Sequence, residues 1–124
     1  MNQEEAFRRS EARYENAGSA LRSFIEELEA SDDDAEKGLA IALRKAPDRV
    51  KFYNLPATTG IGIEAIHHPI ISFDARNWDR GYEIAELILE FTEARQKYER
   101  SYAALPASSR PRMKVPADLI DNVS

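Results

Sequence analysis

Phe7, Tyr14, Leu21 and Leu28 stand seven residues apart in a stretch, Gln3 to Ala30, that has no proline and a single glycine, Gly18. Ala17 and Phe24 fill the companion row. A repeat of seven lays one narrow apolar stripe along a helix, because a turn takes 3.6 residues. Glu4, Arg8, Glu11, Arg13, Glu15, Arg22 and Glu26 cover the other faces. The spacing predicts a helix over residues 3–30, about 42 Å long at 1.5 Å per residue. A stripe of this width resembles a coiled-coil seam, and a seam needs another helix against it.

The chain supplies a second rod of similar length. Trp78, Tyr82, Ile84, Ala85, Ile88, Phe91, Ala94, Tyr98 and Tyr102 recur at three- and four-residue steps. Leu87 and Leu89 widen the face in its centre. The pattern predicts a helix over residues 77–104, capped by Asn77 and stopped before Pro106. Between the rods, Ser31 and three aspartates make a corner. Ser31 is the expected cap of a shorter helix over residues 33–45, in which Leu39 and Leu43 form an i,i+4 pair. Residues 47–76 have a different grain. Val50 and Phe52 alternate with charged residues, Ile61-Gly62-Ile63 and Pro69-Ile70-Ile71-Ser72-Phe73 are short and β-branched, and Pro56 to Gly60 reads as a turn. The expectation is two or three short strands, with one hairpin.

The fold class that follows is mainly α: two long antiparallel helices plus a short helix, with a small β-containing insert between them. Residues 1–105 form a single helical domain and residues 106–124 an extended or mobile tail. Val115-Pro116 and Leu119-Ile120 offer a short anchor, yet so little apolar area against the entropy of ordering favours a mobile segment. Two narrow stripes in a small chain also leave apolar surface for a second copy to cover, so a homodimer is expected.

Several function classes lose support at once. There is no cysteine, so neither a disulfide framework nor a cysteine-based zinc module fits. No apolar run approaches the roughly 20 residues that span a bilayer, and Met1 to Arg13 lacks a signal-peptide core, so a cytoplasmic protein with no membrane role is expected. The formal net charge of −5 argues against general nucleic-acid binding. Arg110, Arg112 and Lys114 make a short basic stretch in the tail. The Gly-x-Gly at Gly60 and Gly62 lacks the third glycine or lysine of a phosphate loop.

The conspicuous candidate site is acidic. Glu26, Glu27, Glu29, Asp32, Asp33, Asp34 and Glu36 lie within eleven residues and no basic residue interrupts them. Such a corner suits a protein partner with a basic surface, although its spacing is not that of a calcium-binding hand. Tyr98 and Tyr102 add a second candidate contact, since tyrosine brings large area at low entropy cost. The competing expectation is that these tyrosines pack against Phe7 and Tyr14. His67 and His68 are adjacent, and on a strand they point apart, which weakens a metal role. Glu83, Glu86, Glu90 and Glu93 form a carboxylate row. Glu83 and Glu86 are the metal candidates of that row, and on a bundle they would need carboxylates from the first helix.

The sequence thus favours a non-enzymatic protein-binding or assembly module: an adaptor, an inhibitor or a small subunit of a complex. It would recognise its partner through a helical face and the acidic corner, with no cofactor. The alternatives are a metal-dependent phosphohydrolase of helical-bundle type, using carboxylates on the long helices, and a nucleic-acid-binding module.

Overall fold

The computed structural model describes residues 2–54, 69–76, 78–115 and 119. Helix α1 spans Gln3–Glu29, α2 spans Asp34–Lys45 and α3 spans Gly81–Ala104. Strands β1 (Val50–Tyr53) and β2 (Ile71–Asp74) lie between α2 and α3. The molecule is mainly helical, with a small two-stranded sheet in the insert.

The seven-residue repeat forms the spine of the core. Phe7, Tyr14, Leu21 and Leu28 are all buried, as are Ala17 and Phe24. Asn2 caps α1 by accepting the Glu5 N–H at 2.7 Å, and Glu4 and Glu5 in the first turn suit the positive end of the helix dipole. Helix α3 lies antiparallel to α1. Its end meets the start of α1 through Tyr98 against Phe7 and Tyr14, with ring centroids 5.4 and 5.0 Å apart. Further along, Phe91 stacks on Tyr14, and Arg13 reaches Glu90. At the other end, Trp78 meets the edge of Phe24 and Arg80 reaches Glu27. Tilted and edge-on ring pairs of this kind add to the plain burial of apolar area.

Helix α2 closes that far end with Leu39, Ala40, Ala42 and Leu43. Its cap is Asp33, whose carboxylate accepts the Ala35 N–H at 2.8 Å. Ser31, the expected cap, sits two residues earlier, accepting the Asp33 N–H and donating to Glu36. The two share the corner because serine opens the turn and aspartate starts the helix.

The strands pair in parallel, with Val50 opposite Ile71 and Phe52 opposite Phe73. These two strands are therefore not a hairpin: a parallel pair needs a long connection rather than a tight turn, and the third expected strand, Ile61-Gly62-Ile63, lies outside the described residues. Val50 and Phe52 point into the core, while Ile71 and Phe73 pack against its edge. Asn54 ends β1 in a left-handed conformation, φ 62°, and its amide donates to Asp74 at 2.8 Å. Asparagine tolerates that region better than most residues.

Helix α3 starts at Gly81, four residues later than the expected start at Asn77, and Arg80 holds its cap position without a side-chain bond. The chain just before it is spent on two turns, Trp78 N–H to the Ala75 carbonyl and Gly81 N–H to the Trp78 carbonyl. Those turns carry the indole inward, which an earlier helix start would not do. Asn77 itself lies outside the described residues.

The tail, expected to be extended or mobile, has no regular structure over residues 110–115 and meets the helices through polar ties. Arg110 ties it to the end of α3 by donating to the carbonyls of Leu105 and Ala103. Tyr102 donates to the Pro111 carbonyl, and the Lys114 N–H donates to the Tyr98 hydroxyl oxygen. Met113 and Leu119 pack against the core.

Candidate functional site

The acidic corner is held together by arginines that come from other elements. Arg44 of α2 forks onto Glu29 with donor distances of 2.6 and 2.9 Å, and this bidentate contact holds the Glu29 carboxyl below its ordinary range. Arg80, just ahead of α3, donates to Glu27 and to Glu83, each at 3.2 Å. Its guanidinium also lies 4.3 Å from the Phe24 ring centroid. Glu26 stands 3.9 Å from Arg22 on its own helix. Glu36 accepts the Ser31 hydroxyl at 2.5 Å and the Trp78 indole N–H at 2.9 Å.

Five of the seven expected residues therefore serve the fold: Glu26, Glu27, Glu29, Asp33 and Glu36. Asp32 and Asp34 project outward, and among the described residues no ion pair reaches them. From Asp34 the outer face of α2 runs through Lys37 and Ile41 to Lys45, spaced as one side of a helix requires. Ile41 is 66% exposed, far beyond any other large apolar residue among those described. Gly38 beside it has open space where a side chain would stand. Sequence reading missed Ile41 because Leu39 and Leu43 define the buried side of so short a helix. Its signal was its position off that pair.

Tyr98 is fully buried, so the expectation that it presents a surface to a partner is corrected. It fills the gap between Phe7 and Tyr14 instead, the competing expectation for this end. Burial raises the phenol above its ordinary range, offset in part by the N–H that Lys114 donates to it. Tyr102 is half-buried and packs beside Phe7.

The carboxylate row of α3 is laid open to solvent with nearby partners. Arg13 donates two bonds of 2.8 Å to Glu90 and lies 3.5 Å from Glu93. The first of these lowers the Glu90 carboxyl and raises the Arg13 guanidinium. Glu86 accepts from Tyr82, whose phenol is raised as a result. Glu83 and Glu27, the cross-helix pair a bundle metal site would use, do approach one another. A guanidinium stands between them, in the place of a cation. Among the described residues no three carboxylates or imidazoles converge to hold a metal ion. His67, His68, Ile61-Gly62-Ile63 and the Gly-x-Gly stretch lie outside the described residues.

Among the described residues no helix is long and apolar enough to cross a membrane. Compared with protein-family models, with curated proteins and with solved structures, the chain matches none.

Proposed function

We propose that the protein is a non-enzymatic binding or assembly module whose contact surface is the corner between α1 and α2 and the outer face of α2. The observation that carries this reading is Ile41, 66% exposed on a helix whose opposite side is sealed into the core. Asp32 and Asp34 flank it at one end, where they add long-range attraction and partner choice. A suitable partner offers an apolar anchor to Ile41 and Gly38, and a basic group to the two aspartates. The seam of α1 is not part of this surface. Its residues are buried within one chain, which removes the uncovered stripe that motivated a homodimer.

The test is affinity capture from the native host, comparing the wild-type chain with an Asp32→Lys, Asp34→Lys, Ile41→Glu variant. All three positions are exposed, so the variant should keep its fold by circular dichroism. Proteins held by the wild type and lost by the variant are expected. An identical set from both chains, or none from either, overturns the proposal.

A further inference from the structure

The polar ties of the tail describe a binding seat. Residues Glu15, Gly18 and Arg22 are one side of α1, spaced three and four apart, and each meets the tail. The Lys114 ammonium pairs with Glu15. Arg22 donates to the Leu119 carbonyl at 3.3 Å. Gly18 leaves a notch that Leu119 fills: a Cβ built there would come within 2.8 Å of the Leu119 Cβ, too close for any side chain without displacement. Across the groove, Tyr98 accepts the Lys114 N–H and the Phe91 ring lies 3.6 Å from the same built Cβ. The seat thus reads a backbone N–H, a cation and, five residues on, a branched aliphatic side chain.

The occupant is held at few points. Residues 110–115 have no regular structure, Val115 is exposed, and the Lys114–Glu15 pair is open to solvent. Ordering such a segment is opposed by chain entropy while Met113 and Leu119 are its apolar anchors, so it belongs to the part of a fold that opens first. We propose that this groove is a peptide-recognition site, filled in cis by Met113, Lys114 and Leu119. Its partner is a peptide segment carrying Lys or Arg followed five positions later by Leu or a similar residue. The charge of the groove selects that chemistry, because Glu15 and Glu11 border it where the tail brings Lys114. The tail competes with the partner for the seat, and the fraction of open chains scales the apparent affinity. The groove is separate from the corner and from α2, so this proposal and the one above fail independently.

The test uses the full chain and a fluorescent peptide of residues 109–124. Lys114→Ala with Leu119→Ala loosens the tail in cis, and fluorescence anisotropy reads binding in trans. The loosened chain should bind at least tenfold tighter than wild type. Adding Glu15→Lys should weaken that binding, and adding Gly18→Leu should abolish it. No binding to the loosened chain, or binding indifferent to both added changes, overturns the proposal. A wild-type dimer whose tails crosslink between copies also overturns it, because the seat would then belong to a second copy. Glu15→Lys lies on an exposed rim and keeps the test decisive if Gly18→Leu does not fold.

Discussion

Gly18 and Gly38 both sit inside helices, where glycine costs roughly 0.5–1 kcal/mol relative to alanine. Their surroundings set opposite outcomes. Nothing lies within 4 Å of a Cβ at Gly38, so Gly38→Ala should stabilise the chain by about 0.5–1 kcal/mol, read as a rise in thermal midpoint. At Gly18 the same methyl meets Leu119, and Gly18→Ala should instead increase proteolysis near Arg110 and Arg112. Leu21 has no exposed surface, and Leu21→Ala should cost about 2–5 kcal/mol in chemical denaturation. The carboxyls of Glu29 and Glu90 are depressed by Arg44 and Arg13. A depressed acid stabilises the fold above its unfolded pKa and loses that contribution as pH falls through the lower folded value. The window therefore lies below the ordinary 4.5 of a glutamate. Wild type should exceed a Glu29→Gln, Glu90→Gln variant in melting temperature near neutrality, with the gap closing in that window. Both side chains are more than a third exposed, so each pair contributes at most about 1 kcal/mol.

At the scale of elements, the corner between α1 and α2 is a joint built from one cap and one bridge. Asp33→Ala should lower stability by about 1 kcal/mol through the lost N-cap, whereas Asp32→Ala should leave the thermal midpoint unchanged. The helices were legible in the sequence because burial repeats along them: every seventh residue of α1 from Phe7 to Leu28 is interior. The strands were half legible. Alternation marked Val50 and Phe52, but a short apolar run does not say which strand it pairs with or in which direction, so the parallel pairing with Ile71 and Phe73 was not legible. The start of α3 was misplaced because Trp78 fits the helical period while serving a turn. Of the acidic site, the residues were visible and their partners were not. Arg44, Trp78 and Arg80 lie 15, 42 and 53 residues from the groups they bind, separations at which no spacing rule operates.

For the whole molecule, the two ends of the long helix pair are packed by different means. One end is all aromatic stacking, Phe7 with Tyr98 and Tyr102, and is roofed by the tail. The other gathers α1, α2 and the sheet around a single indole, which touches Phe24 and Phe73 and donates to Glu36. Trp78 is also the only tryptophan in the chain. Tryptophan emission therefore belongs to one pole, while the other carries only phenylalanine and tyrosine rings. Emission should shift when the α2 pole loosens, and stay constant when the tail lifts from Tyr98. Tryptophan emission for the α2 pole, and proteolytic cleavage at Arg110 and Arg112 for the tail, followed together through a denaturant titration, turn this asymmetry into a way of watching each pole separately.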